Sequence, residues 1–181
     1  KQVEDAAAAR AVWTERIATA SLQEIAADPD LMNQVRETSR TLFIDNCAAC
    51  HGIRGTGGPG FPDLAAKAWL WGGDPDTIAE TIRIGINSTN EDTRISQMMA
   101  FGRDGVLDAG QVRAVAAYVR SLPDRPLWAD DKARIAAGKE VFDANCVACH
   151  GDDARGSTDV GAPDLTDGAW IYGSSAQAVF T

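Results

Sequence analysis

The sequence predicts an all-α chain: an N-terminal helical segment followed by two tandem copies of one module, the second copy incomplete. Three observations predict this. Phe43-Ile44-Asp45-Asn46-Cys47-Ala48-Ala49-Cys50-His51-Gly52 recurs, 99 positions on, as Phe142-Asp143-Ala144-Asn145-Cys146-Val147-Ala148-Cys149-His150-Gly151. Apolar residues fall at helical spacing between capping residues, and no strand-like alternation occurs. The 181 residues suffice to bury one or two cores.

The elements follow in order. Residues 1–28 are alanine-rich and charged, with Ser21 and Glu24 as a capping box, and they belong to neither copy. The first module spans 29–122. Asp28 and Pro29 are a cap and first-turn pair, opening a helix that runs to about Asn46. Asp74 and Pro75 open another, with Ile78 and Ile82 on one face and Gly85 as its stop. Asp108 and Gln111 form a capping box. Val112, Val115, Ala116, Val119 and Leu122 then keep helical spacing until Pro123. Residues 123–131 hold Pro123 and Pro126 and read as a short, stiff linker.

Residues 132–181 are the second module, in which 132–145 repeat the helix before the motif. Pro62-Asp63-Leu64 and Trp69 recur as Pro163-Asp164-Leu165 and Trp170, now 101 positions on, so the second loop is two residues longer. The second copy carries no counterpart of residues 80–122. Phe43 with Tyr118 suggests a contact between the first and last helices of module one, and Ser39 and Gly138 are matching small residues suited to a helix crossing.

The net charge is -9, which argues against nucleic acid and is compatible with a basic protein partner. No stretch approaches the roughly 20 apolar residues of a membrane helix. The chain starts at Lys1 without an initiator Met, which reads as a trimmed end.

All four cysteines and both histidines lie in the repeated string. That leaves no histidine for a triad or a second metal centre. Cys-x-x-Cys-His is the attachment string of c-type haem. Two thiols one helical turn apart form thioethers on one edge of the porphyrin, and the adjacent imidazole becomes the proximal ligand. Cys47 and Cys50 with His51, and Cys146 and Cys149 with His150, therefore predict two covalent haems c. A zinc site would bring its cysteine pairs some fifteen to twenty residues apart, and a thioredoxin-like pair would need a βαβ context.

The chain has three methionines. Met32 lies on the wrong side of the motif. Met98 and Met99 lie in the loop 87–101, where a distal ligand is expected, and the residues alone leave the two open, with core packing as the plainer role. The second module has no Met, so its distal ligand comes from outside this stretch, or the site is open or differently ligated. Pro62 and Pro163 mark carbonyls that can accept from the proximal imidazoles, with a plain turn proline as the alternative. Trp69, Trp71, Trp170 and Tyr172 are candidates for haem walls or propionate donors, with core packing as the alternative.

With these motifs in place, the chain resembles the diheme subunit of cbb3-type cytochrome c oxidases. The resemblance rests on the two haem strings, on Gly57-Gly58-Pro59-Gly60-Phe61-Pro62-Asp63-Leu64, on Trp69-Leu70-Trp71-Gly72-Gly73 and on Ser96-Gln97-Met98-Met99-Ala100-Phe101-Gly102. It covers about 28–181, and it implies two class I cytochrome c modules. It also implies that Met98 ligates the first haem iron, although Met99 stands where the family commonly has Pro. The family's second Met and its membrane helix lie outside this stretch. The implied role is an electron-entry module facing the periplasm at a bacterial inner membrane, held by an N-terminal anchor. It would take electrons from a donor cytochrome c or a quinol:cytochrome c reductase. It would pass them through a monohaem subunit to a haem-copper subunit that reduces oxygen, doing no bond chemistry itself. A free periplasmic diheme shuttle is the alternative, and a diheme enzyme with an open second iron is the third.

Overall fold

A computed structural model describes residues 2–123 and 126–181, so Asp124 and Arg125 of the predicted linker lie outside the described residues. Among the described residues there is no strand, only isolated bridges between single residues. The chain divides into two compact units, one ending at Gly55 and one from Thr56 to Thr181.

The first unit holds α1 (Gln2–Thr19), α2 (Leu22–Ala27), α3 (Pro29–Asn46) and α4 (Ala48–His51). The caps are those legible in the sequence. Ser21 accepts from the Glu24 N–H while Glu24 accepts from the Ser21 N–H, the reciprocal capping box. Asp28 accepts from the Asp30 and Leu31 N–H groups with Pro29 in the first turn. Asp28 also takes the Arg16 guanidinium at 2.7 Å, tying α1 to the α2–α3 corner. α3 packs against α1, α2 and α4, over buried Ile25 and Leu31.

The second unit holds α5 (Pro75–Ile84), α6 (Ala109–Ser121), α7 (Ala129–Lys132), α8 (Ile135–Asn145), α9 (Val147–His150) and α10 (Ala176–Phe180). Asp74 caps α5 through the Thr77 N–H, and Gly85 ends it. The expected inward face of α5 is rotated. Ile84 is buried and Thr81 half-buried, whereas Ile82 is 79% exposed. Thr81 and Ile84 lie three apart on one face, and Ile82, a residue past Thr81, is turned about 100° away from it.

α6 begins at the predicted Asp108–Gln111 capping box. Its most buried residues are Ala114, Ala116 and Ala117; the valines at 112, 115 and 119 are half-buried. Small residues face inward because the helix against them comes close. That helix is α8, and α10 packs on α6 as well. The helix expected over 132–145 is interrupted at Ala133 and Arg134, so α7 and α8 stand as two pieces.

The loops of the two repeats meet at matching positions within this unit. The Gly60 N–H donates to the Ile171 carbonyl at 2.8 Å. Gly161, the counterpart of Gly60, lies so near the Trp71 indole that a Cβ on it would stand 2.4 Å from the ring. The Arg94 guanidinium covers the Trp71 ring at 5.1 Å.

Candidate haem sites

Each Cys-x-x-Cys-His string is one helical turn, set down at the end of a longer helix. In the first unit the Asn46 amide donates to the Leu42 carbonyl at 2.8 Å and the Cys47 N–H to Phe43 at 2.8 Å, closing α3. The Cys50 and His51 N–H groups then donate back to the Cys47 carbonyl at 3.2 and 2.9 Å. The second copy repeats this bond for bond. Asn145 donates to Val141, Cys146 to Phe142, and Cys149 and His150 to the Cys146 carbonyl at 3.2 and 3.0 Å. The turn puts the two sulfurs of each pair on one side with the imidazole following directly. Cys50 and Cys149 are exposed and Cys47 and Cys146 half-buried. Burial, and then the neighbouring Cys149, push the Cys146 thiol up from its ordinary value.

His150 is buried, with its ring 6.4 Å from that of Phe142. Its Nδ1 lies 3.2 Å from the Pro163 carbonyl oxygen. With Nδ1 carrying the proton, Nε2 is left as the lone-pair nitrogen. The Pro163 carbonyl reaches this place because Gly156 sits beneath it. Gly156 has φ +76, and a Cβ there would stand 2.5 Å from the Pro163 oxygen. The Gly156 N–H in turn donates to the His150 carbonyl at 2.8 Å, and Leu165 to Ala154 at 2.8 Å, so the loop is laced to the motif. Ala154 is 1% exposed at φ 58, where the first repeat has Gly55 at φ 70.

Pro62, Met98 and Met99 lie in the second unit; Cys47, Cys50 and His51 lie in the first. Gly57 repeats the role of Gly156, since a Cβ on it would stand 2.7 Å from the Pro62 oxygen. Met98 is 75% and Met99 56% exposed. The segment leading to them is held by Asn87, at φ 51, whose side-chain amide donates to the Ser96 carbonyl at 2.8 Å and accepts from the Ser96 N–H at 3.0 Å. Trp69 lies against Gly73, and Tyr172 is 80% exposed. The Trp71 Nε1–H is buried with no hydrogen-bond partner.

These features fit a covalent haem: paired thiols, an imidazole oriented through its far nitrogen, and a buried indole N–H with capacity for a carboxylate. A zinc cage fits less well, because among the described residues no three His, Cys, Asp or Glu side chains converge. The Cytochrome c family matches residues 37–123 and again 135–181, one match per repeat. The chain belongs to the cytochrome c family.

Among curated proteins, this cytochrome c chain is 49% identical over 158 residues to a protein of Bradyrhizobium sp. (strain ORS 278) named cbb3-type cytochrome c oxidase subunit FixP. That match covers 87% of the chain and 54% of the relative. It is 40% identical over 180 residues to the cbb3-type cytochrome c oxidase subunit CcoP of Cereibacter sphaeroides, covering 99% and 61%. It is 43% identical over 180 residues to the CcoP of Azospirillum brasilense, covering 96% and 60%. The cytochrome thus spans a little over half the length of these relatives. No helix among its described residues is long and apolar enough to cross a membrane.

Two contributors to the second site escaped the sequence reading, Gly156 and Ala154. The signal for the first was present: Gly57 and Gly156 match 99 positions apart, inside the repeat itself. Nothing in the sequence marks Ala154, since alanine rarely takes a positive φ.

Proposed function

We propose that this chain carries two covalent haems c, on Cys47, Cys50 and His51 and on Cys146, Cys149 and His150. We further propose that it is an electron-transfer subunit of a cbb3-type oxidase, taking electrons from a donor cytochrome c or a quinol:cytochrome c reductase. It passes them through a monohaem subunit toward the haem-copper subunit that reduces oxygen. The work is done on the periplasmic side of a bacterial inner membrane, with the anchor outside this stretch of sequence. The named relatives and their high identity support the partners. The acidic balance supports a basic donor.

The observation that carries the reading is the hydrogen bond between His150 and Pro163, next to a one-turn thiol pair. The cysteines hold by thioether bonds, so the group is retained without a deep pocket. The Pro163 carbonyl orients the imidazole and raises its basicity as a ligand. Met98 would supply a thioether ligand to the first iron, which would raise the reduction potential. The buried Trp71 N–H would be available to a haem propionate. Bound haem supplies a one-electron iron couple, while the protein sets its orientation, burial and ligand field.

Mass measurement on the denatured full-length protein tests the haem claim, with two covalently retained haems expected. Loss of both on denaturation would sink it. Native purification tests the assembly. Recovery with a haem-copper subunit is expected, and recovery only as a lone diheme protein would replace the oxidase role by that of a free shuttle.

A further inference from the structure

The Pro163 carbonyl that meets His150 stands at the foot of a small closed turn. Ser157 and Ala162 exchange backbone hydrogen bonds across it, at 3.0 and 2.9 Å. The first repeat closes the same turn between Gly58 and Phe61, at 3.1 and 2.9 Å. Two residues lie between Gly58 and Phe61 and four between Ser157 and Ala162, so the insertion in the second copy falls inside this turn. The turn is seated on Gly156, where a Cβ would stand 2.2 Å from the Ala162 oxygen and 2.5 Å from the Pro163 oxygen. At such packing a shift of Ala162 is passed to the Pro163 carbonyl.

Gly161, next to Ala162 in this turn, is buried with φ +64 and abuts the Trp71 indole. A Cβ on it would lie 2.4 Å from two ring carbons and 2.8 Å from Nε1. The indole is itself fixed. The Arg94 guanidinium lies over its ring, 5.1 Å from the centroid, and the Arg94 Nε–H donates to the Thr81 hydroxyl of α5 at 2.9 Å. The matching parts of the other repeat make no such contact. A Cβ on Gly60 would meet nothing within 4 Å, and Tyr172, the counterpart of Trp71, is 80% exposed.

We propose that Trp71, a residue of the first repeat, is a positioning residue for the proximal histidine of the second haem, given that Cys146, Cys149 and His150 carry that haem. Its ring backs the Gly161 turn and so holds the Pro163 carbonyl on the His150 Nδ1–H. The bond on Nδ1 tunes the basicity of Nε2, so the ligand field of the second iron is set in part from the first repeat. The ring does this independently of the indole N–H.

With Nε2 on iron, the Nδ1–H is the one exchangeable ring proton of each histidine, and its exchange with solvent reads the bond. Nuclear magnetic resonance of the reduced, haem-loaded chain with labelled histidine nitrogens tests this. Gly161→Ala and Trp71→Ala should each speed exchange of the His150 proton by about tenfold or more, since a loosened carbonyl leaves the bond open more of the time. Gly60→Ala carries the same positive-φ penalty without a neighbour to meet, and should stay within about threefold of the parent chain. Trp71→Phe keeps a ring beside Gly161 and removes the N–H, and should stay closer to the parent than Trp71→Ala. Unchanged exchange in Trp71→Ala overturns the proposal, whether or not Gly161→Ala folds. So does equal speeding at His51 in Gly161→Ala, which marks a general loosening. A Trp71→Phe effect as large as that of Trp71→Ala also overturns it, by assigning the effect to the N–H. Loss of the haem from Cys146 and Cys149 on denaturation overturns the haem reading, and this inference with it. Retained haem with unchanged exchange overturns this inference alone.

Discussion

The Nδ1 of His150 and the carbonyl oxygen of Pro163 stand 3.2 Å apart, thirteen residues distant in sequence. A loop strained at Gly156 and closed by the bond from its N–H to the His150 carbonyl makes this approach possible. The bond settles which imidazole nitrogen is free.

Gly156→Ala should therefore cost more than about 2 kcal/mol of stability, since it adds a positive-φ penalty to a clash with backbone carbonyls. Gly57→Ala, in the same surroundings beside Pro62, should behave alike. Denaturant unfolding of both variants checks this. A loss below about 0.5 kcal/mol, typical of an exposed site, would mean that the loop relaxes around the methyl group.

Phe142→Ala should remove about 3–5 kcal/mol, as expected for a fully buried aromatic ring. Phe43→Ala should cost less, because Phe43 is only half-buried. Equal losses in thermal or denaturant unfolding would contradict the unequal burial of the two equivalent rings.

Met98→Ala should turn the first haem high-spin or recruit another ligand, visible in its absorption spectrum, and Met99→Ala should not. The reverse pattern would move the ligand to Met99. The Asn87 clamp on Ser96 positions either residue. Asn87→Ala should therefore weaken the methionine–iron band without removing it.

Acid should fray α3 and α5 from their starts. The Leu31 N–H chiefly holds the Asp28 carboxyl below its ordinary value, against the opposing effect of burial and with help from Arg16. The Thr77 side chain and then its N–H do the same for Asp74. Folding thus favours both charged forms. Their stabilisation is complete above the unfolded aspartate value of about 3.9 and is lost as pH falls through the lowered native values. Helicity followed by circular dichroism should drop in that window. Asp28→Asn with Asp74→Asn should flatten this part of the titration while keeping the caps.

The α6 cap is a separate case. Asp108→Ala removes acceptors for the Gly110 and Gln111 N–H groups and should cost about 1 kcal/mol. Unfolding of α6 followed by hydrogen exchange reads it directly.

Much of this was legible in residues close together in the chain. Ser21 with Glu24, Asp28 with Pro29, Asp74 with Pro75 and Asp108 with Gln111 are signals that act within four residues, and the helices start where those signals stand. The haem strings are likewise one helical turn each. The faces were less legible. On α5 the spacing favoured Ile82, but burial fell on Ile84 and Thr81 because a neighbouring surface, not periodicity, decides which arc turns inward.

By itself the sequence determined the all-α class, the two copies, the thiol and imidazole set, and Pro163 as a candidate acceptor for its histidine. Each rests on spacing or local hydrogen bonding, which a short stretch of chain carries wherever it is placed. Only the tertiary structure decided that Gly156 brings the Pro163 carbonyl to His150, and that the alanines of α6 face inward. It alone placed Tyr118 against Phe142. These depend on how closely two distant backbones approach, and a glycine records that such an approach is allowed without naming the partner.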